Sequence, residues 1–133
     1  MEQWKRLKQK KAEKEKYEPF YIEEKFKEYV YYIDPMLDKF PKSERFGLYK
    51  KIKELNYDLI SDIIIYGKKP KEVRTNGLRK VDNRLQALKF FIRYAYDCPK
   101  HCICSKTYEV ASGMLNEIGL LLGGVVNPET VKD

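Results

Sequence analysis

Apolar residues recur every three or four positions along four stretches of the chain, and this spacing is typical of amphipathic α-helices. The first stripe runs from Ile22 to Phe40, and Pro41 ends it because a residue before proline avoids the helical region. Pro35 lies inside this stripe and predicts a kink, since proline removes a hydrogen-bond donor and clashes with the preceding turn. No stretch alternates with the two-residue period of a β-strand, so the pattern predicts an all-α protein.

The second and third stripes cover residues 48–66 and 78–95. Ser43 is expected to cap the amino end of the second helix, and Gly67 is expected to cap its carboxyl end. The third helix is predicted to open at residues 75–77. The connections are short, so helices that follow one another in the chain should lie antiparallel.

The fourth stripe covers residues 108–125 and contains the densest apolar segment of the chain, residues 116–124. Gly119 and Gly123 lie four positions apart in this segment, although glycine costs about 0.8–1 kcal/mol relative to alanine inside a helix. Close approach of a neighbouring helix is the expected reason for these glycines. The Gly123-Gly124 pair is also predicted to end the helix.

Together the four stripes predict an up-down antiparallel four-helix bundle over residues 19–127, preceded by a charged N-terminal extension. The extension, residues 1–18, holds seven Lys and Arg residues against four Asp and Glu residues. We interpret it as a basic arm that is helical or disordered, with ordering on RNA as the alternative. Residues 128–133 are interpreted as a C-terminal tail.

The charge balance points to an acidic partner. The 133 residues carry a formal net charge of +7, with a pI near 9.2, which favours nucleic acid first and a membrane surface second. No apolar run near the N-terminus marks a signal peptide, and no uncharged apolar stretch reaches the roughly 20 residues that span a bilayer. The chain is therefore expected in the cytoplasm, with no membrane partner.

All three cysteines and the single histidine lie between Cys98 and Cys104. Cys98, His101, Cys102 and Cys104 are zinc-ligand types, but their spacing is not that of a zinc knuckle and no second ligand pair exists elsewhere. Cys102 and Cys104 are therefore expected to pack as small apolar residues under the loop between the third and fourth helices. A zinc ion shared between subunits and a Cys–His nucleophile stay open as alternatives. We predict no catalytic residue, no metal and no cofactor.

Basic side chains on and between the second and third helices are candidates for contact with nucleic acid, because Lys and Arg bind phosphate without a fixed motif. These residues are Lys50, Lys53, Lys68, Lys69, Lys71, Arg74, Arg79, Lys80, Arg84 and Arg93. Aromatic residues off the apolar stripes are candidates for an interface with a partner or a second copy. These residues are Tyr57, Phe90, Phe91 and Tyr94. The alternative for any one of them is ordinary solvated surface.

Three segments resemble one bacterial and phage family of four-helix bundles: residues 40–46, the third-helix pattern over residues 78–95, and residues 115–124. The resemblance covers about residues 20–126. The family contains Avd, the accessory variability determinant of diversity-generating retroelements. Its other branch is the protein encoded by intervening sequences of bacterial ribosomal RNA genes. Val125 stands where the family commonly has tryptophan.

The resemblance implies a function without catalysis. Avd-like proteins form basic homo-oligomers, with five four-helix protomers in a ring. They bind the retroelement's reverse transcriptase and its template RNA, or an RNA/DNA hybrid, in support of adenine-mutagenic cDNA synthesis. The alternative is a structural or interaction protein of the ribosomal intervening-sequence type, which has no reverse transcriptase partner.

Overall fold

The computed structural model describes the backbone of residues 2–127 and the side chains of residues 19–127. The described chain is helical, as predicted. Its elements are α1 (Glu2–Leu37), a short 3₁₀ helix (Lys42–Glu44), α2 (Leu48–Gly67), α3 (Lys71–Asp97) and α4 (Ser105–Val126). The predicted C-terminal tail lies outside the described residues.

The four α-helices pack as an up-down bundle. Each helix contacts the one that follows it, and α1 also contacts α4, which closes the bundle. Successive helices run antiparallel because the connections between them are short. The bundle therefore has two ends. The α1–α2 and α3–α4 connections lie at one, and the α2–α3 connection lies at the other.

The core lies along the bundle axis and draws on the predicted stripe of every helix. Phe26, Leu59, Leu85 and Ile118, one from each helix, are all fully buried. Burying one such side chain contributes about 1.5–3 kcal/mol relative to leaving it in water. The apolar periodicity thus predicted the architecture correctly.

One polar pair lies inside this core. The Tyr29 hydroxyl of α1 donates a hydrogen bond to Asn56 Oδ1 of α2 at 3.0 Å, and both side chains are fully buried. Burial raises the pKa of Tyr29, so its hydroxyl stays protonated. Asn56 Nδ2 has no hydrogen-bond partner among the described residues. The pair fixes the register of α1 against α2, because a shift would bury unsatisfied polar groups.

The predicted cap of α2 was wrong. α2 begins at Leu48 with Gly47 at the cap position, and Ser43 lies in the preceding 3₁₀ helix. Glu44 accepts the hydrogen bond that a cap would accept, because its Oε2 lies 3.4 Å from the Leu48 backbone nitrogen. A carboxylate at this position also interacts favourably with the positive end of the helix dipole.

Three other predicted helix ends were wrong. α3 begins at Lys71 rather than at residues 75–77, because Pro70 precedes it and its fixed φ suits a helix start. α4 continues through Gly123 and Gly124 to Val126, since both glycines adopt ordinary helical angles. α2 includes Gly67, and Lys68 follows as its cap.

The tightest packing at a glycine occurs between α2 and α3. A Cβ placed on Gly77 would overlap the Tyr66 ring, whose Cδ2 would lie 2.7 Å away. Gly123 has no neighbouring heavy atom within 4 Å of the same position, so the expected close contact there was wrong. A Cβ on Gly119 would lie 3.1 Å from Lys89 Nζ and 3.6 Å from Leu85 Cδ2, both of α3, so the expected close approach of a neighbouring helix is confirmed at Gly119.

α4 is also apolar and long enough to cross a membrane, judged by length and composition alone. In the bundle, one face of α4 supplies core residues, including Leu115 and Leu122. On another face Glu117 forms an ion pair with Lys25 of α1 at 3.4 Å. The packing therefore accounts for the apolar residues on the core face of α4.

Candidate functional site

A cluster of basic side chains lies at the α2–α3 end of the bundle. Lys68 and Lys69 follow the last turn of α2, and Lys71 is the first residue of α3. The connection is too short to separate these charges, and all three side chains are exposed. We call Lys68, Lys69 and Lys71 the basic end. Among residues 19–127, no carboxylate forms an ion pair with any of the three, nor with Lys80, which lies nine residues further along α3.

A shallow, open depression of about 400 Å³ lies beside the basic end. All of its lining residues belong to α3: Lys71, Glu72, Thr75, Asn76 and Arg79. The Arg79 guanidinium donates one hydrogen bond to the Val126 carbonyl at 3.1 Å and another to Asn76 Oδ1 at 3.4 Å. Arg79 therefore stabilises the carboxyl end of α4, where the helix dipole favours a cation.

Arg74 lies one turn into α3 and is only half-exposed. Its Nε is buried and has no hydrogen-bond partner among the described residues. The guanidinium is consequently part of the packed bundle end rather than a free surface charge. Of the ten basic residues predicted from the sequence, the basic end brings together three, with Arg74 and Arg79 further along α3.

α1 approaches the same end of the bundle. The Pro19 side chain lies 3.8 Å from the position of a Cβ on Gly67, the last residue of α2. The α1 backbone continues as helix from Pro19 back to Glu2. The segment that carries the seven Lys and Arg residues of the N-terminal arm thus begins beside the basic end.

The Lys53 side chain is mostly shielded from solvent, and it lies near the opposite end of the bundle. Its Nζ forms an ion pair with Asp34 at 3.4 Å and lies 5.3 Å and 5.8 Å from the centres of the Tyr49 and Tyr57 rings. Burial opposes the charge, but hydrogen bonds with the two tyrosines and the Asp34 carboxylate outweigh it and raise the pKa of Lys53. This lysine ties α1 to α2.

Arg84 and Arg93 also have partners within the bundle. Arg84 pairs with Asp62 of α2 at 2.9 Å. Arg93 pairs with Asp97 at 2.7 Å and donates to the Tyr108 hydroxyl of α4 at 3.3 Å. These two contacts, with Tyr108 contributing most, raise the pKa of Arg93. Both arginines link neighbouring helices.

Lys50 is the remaining basic candidate and lies on the first turn of α2. Its Nζ is 3.9 Å from Glu54 Oε1, a loose pair on an exposed face. Lys50 and Lys53 lie near the start of α2 and Arg93 lies near the end of α3, so all three are at the end of the bundle opposite the basic end. The predicted residues do not form a single patch.

The four aromatic candidates do not form a single surface patch either. Phe90 and Tyr94 stack on the outer face of α3 with ring centres 6.1 Å apart, and their side chains are 59% and 48% exposed. Phe91 meets Phe90 edge-on but is half-buried and packs against the core. Tyr57 lies apart from them, where its hydroxyl contacts Lys53 and Asp34.

The three most exposed of the large apolar residues were not identified as surface candidates from the sequence. Tyr31, Phe46 and Leu120 are 82%, 86% and 79% exposed. Leu120 lies between two core positions of α4, so its place off the stripe could have marked it. Phe46 lies in the connection before α2, where the absence of helical periodicity hides the direction of a side chain.

The predicted burial of Cys102 is confirmed, and that of Cys104 was wrong, because Cys104 is exposed at the start of α4. Cys98 is buried and places its Sγ 3.9 Å from that of Cys102. His101 is exposed, and its Nδ1 lies 3.0 Å from the Tyr96 carbonyl. Within the described part of the chain, no group of three His, Cys, Asp or Glu side chains gathers to hold a metal ion.

Residues 20–129 of the chain match the bAvd-like family model. The match covers the bundle and leaves out the N-terminal arm, residues 1–18. No curated protein matches the chain.

Proposed function

The chain belongs to the bAvd-like family, and from this premise we propose that it is a non-enzymatic accessory subunit of a diversity-generating retroelement. In this role it binds the retroelement's reverse transcriptase and the template RNA, and it supports mutagenic cDNA synthesis. Family membership is the observation that carries the proposal. No cofactor is required, since the role is to hold two partners together.

The basic end is the proposed RNA surface. Lys68, Lys69 and Lys71 form no ion pair with a carboxylate of residues 19–127, whereas Lys53, Arg84 and Arg93 are paired within the bundle. Free ammonium groups bind phosphate by releasing condensed counterions, which needs no preformed pocket. The N-terminal arm begins beside these lysines and supplies further positive charge to the same RNA.

The outer face of α3 is the proposed protein-binding surface. The stacked pair Phe90 and Tyr94 exposes apolar ring surface that the protomer leaves uncovered. Aromatic side chains are enriched in protein interfaces and often dominate their energetics. We assign this pair to contact with the reverse transcriptase. Leu120 on α4 then supports contacts between copies of the chain, in the five-membered ring that the family resemblance implies.

A cytoplasmic setting fits this role. None of the three cysteines forms a disulfide, which is usual for proteins of a reducing compartment. α4 supplies core contacts and an ion pair to α1, so no part of the proposal needs a membrane.

The proposed RNA surface is tested with two variants, each of which removes three positive charges from one end of the bundle. One variant combines Lys68→Gln, Lys69→Gln and Lys71→Gln at the basic end. Its matched control combines Lys39→Gln, Lys42→Gln and Lys51→Gln, which removes three exposed lysines from the opposite end.

Binding of template RNA is measured for both variants across a range of salt concentrations. The basic-end variant is expected to bind more weakly, with a slope of log affinity against log salt that is smaller by about 2, because three single-strand phosphate contacts are lost. The control should keep the native slope. Equal losses in the two variants, or binding that does not respond to salt, would contradict the assignment.

A further inference from the structure

The two buried cysteines at the end of α3 form a pair. Cys98 is the residue that caps α3, and Cys102 follows it after a three-residue turn. Their Sγ atoms lie 3.9 Å apart, and each side chain is less than a tenth exposed. Two sulfur atoms at this separation are in van der Waals contact.

The backbone between them holds the sulfurs together. The turn is closed by a hydrogen bond from the His101 backbone nitrogen to the Cys98 carbonyl at 2.9 Å. His101 adopts a φ of +44°, a left-handed angle that is uncommon for a residue with a side chain. Its ring is held against the Tyr96 carbonyl at 3.0 Å. The close approach of the two thiols is therefore built into the turn.

We propose that Cys98 and Cys102 are a redox modification site, which forms a reversible intramolecular disulfide when the protein meets a hydroperoxide. A disulfide needs the sulfurs at about 2.05 Å, so each must move by roughly 1 Å. Thiols that are already in contact across a short turn can make this movement by side-chain rotation and a small shift of the turn.

The reaction balances in two steps. The Cys98 thiol loses its proton, and its thiolate attacks the hydroxyl-bearing oxygen of the hydroperoxide. The O–O bond breaks, the sulfur becomes a sulfenic acid, and the other oxygen takes up a proton and leaves as water or an alcohol. The sulfur of Cys102 then attacks the sulfenic sulfur, which forms the S–S bond and releases water. Two thiols are oxidised by two electrons in total, and one hydroperoxide is reduced. A cellular dithiol returns the pair to the reduced state by exchange.

Burial, together with the neighbouring Cys98 thiol, raises the pKa of Cys102, so Cys102 is the less reactive thiol of the pair and the first attack is assigned to Cys98. Cys104 lies apart, because its Sγ contacts Thr107 Oγ1 at 3.3 Å at the start of α4. Replacing Cys104 should therefore leave the Cys98–Cys102 pair undisturbed.

The turn also reaches the α1–α2 connection. Lys100, at the centre of the turn, places its Nζ 2.6 Å from Ser43 Oγ and 3.1 Å from Glu44 Oε1. Glu44 in turn accepts from the first backbone nitrogen of α2. Formation of the disulfide pulls the two ends of this turn together, so it alters the Lys100–Glu44 contact.

The experiment uses the full chain with Cys104→Ser, which leaves only the pair. The protein is treated with hydrogen peroxide, unfolded, alkylated and analysed by mass spectrometry, with and without later reduction. We expect a monomeric product that is lighter by two hydrogen atoms, cannot be alkylated, and regains two alkylation sites after reduction. Cys98→Ala and Cys102→Ala, each in the same background, should abolish this product, and both are conservative enough for a buried position.

Two results would overturn the proposal. One is a pair that stays fully alkylatable after peroxide treatment, and the other is a product linked between chains. The proposed change in the Lys100–Glu44 contact is tested by measuring the Tm of Glu44→Gln in both redox states. Glu44→Gln should lower the Tm of the reduced protein more than that of the oxidised protein. An equal decrease in both states would refute the coupling between the disulfide and Lys100.

Discussion

The ring of Tyr66 fills the space into which a β-carbon on Gly77 would project. This contact is where α2 and α3 approach one another around their short connection, and it lies one turn from the basic end. It explains why a residue of poor helix propensity lies inside the longest fully described helix of the bundle. The position of the basic residues thus depends on a glycine that carries no charge.

Replacing Gly77 with alanine should destabilise the protein by about 1–3 kcal/mol, because the Tyr66 ring must move out of a packed site. Gly113→Ala is the matched control, since it also lies within a helix but has no neighbouring atom within 4 Å of the new Cβ. The control should stabilise the fold by up to about 1 kcal/mol through helix propensity alone. Urea unfolding measures both.

The same pair can be tested by a double-mutant cycle. In a Tyr66→Ala background the ring is gone, so Gly77→Ala should become neutral or mildly stabilising. If the cost of Gly77→Ala is unchanged in that background, the Tyr66 contact is not its cause.

Removing the Tyr29 hydroxyl should also destabilise the core. Tyr29→Phe leaves Asn56 Oδ1 buried without its donor, at a cost of about 1–3 kcal/mol. Tyr29→Phe combined with Asn56→Leu removes both polar groups, so the double variant should lose less stability than the sum of the single variants. Strict additivity in chemical unfolding would show that the buried hydrogen bond contributes nothing.

The Glu44–Lys100 contact should make stability depend on pH. The hydrogen bond from Lys100, followed by that from the Leu48 backbone, lowers the pKa of Glu44 below its value in the unfolded chain. Its stabilising effect is therefore complete above the unfolded pKa of about 4.3 and is lost as the pH falls through the lower folded pKa. The Tm of the native protein should exceed that of Glu44→Gln at pH 7, and the difference should shrink towards pH 3.

Glu54→Gln is the control for this titration, because Glu54 forms only the loose 3.9 Å pair with Lys50. Its Tm should stay close to that of the native protein across the same range. A difference between native and Glu44→Gln protein that is constant with pH would rule out the ionised Glu44 carboxylate as the stabilising group.

Cys104 should react with an alkylating agent at lower pH than an ordinary cysteine. A hydrogen bond from the Thr107 hydroxyl, aided by backbone N–H groups at the start of α4, lowers the pKa of the Cys104 thiol. In a Cys98→Ala, Cys102→Ala chain, the rate of reaction with iodoacetamide should rise with pH at lower values than for an unfolded cysteine peptide. Thr107→Val should move the profile to higher pH, whereas Thr75→Val, which is remote from Cys104, should leave it in place. If the pH–rate profile is the same in all variants, the Thr107 hydrogen bond does not lower the pKa of Cys104.

Much of the fold could be predicted because apolar spacing reports directly which face of each helix is buried. The helix ends were harder. Glu44 replaces Ser43 at the start of α2 through a side chain that reaches four residues forward, and Gly123 stays helical because nothing forces it to turn. Such choices depend on tertiary contacts that a local motif does not encode.

For the candidate site, the sequence predicted which residues carry charge but not which of them remain unpaired at the surface. Lys53 and Lys68 look alike in sequence, yet Lys53 pairs with Asp34 across two helices and Lys68 has no such partner among residues 19–127. The distinction depends on which helices are neighbours and on their register. The same holds for Phe90 and Phe91, of which only Phe90 faces outward.

Co-purification tests the proposed accessory role most directly. The chain is co-expressed with the reverse transcriptase and template RNA of its retroelement, and the complex is isolated through a tag on the reverse transcriptase. We predict that the native chain is retained with the RNA as a multiple of the 15.9 kDa protomer, five by resemblance to the family, and that Phe90→Ser with Tyr94→Ser is lost. A native chain that is absent from the isolated reverse transcriptase, and that is a monomer by light scattering, would contradict the account.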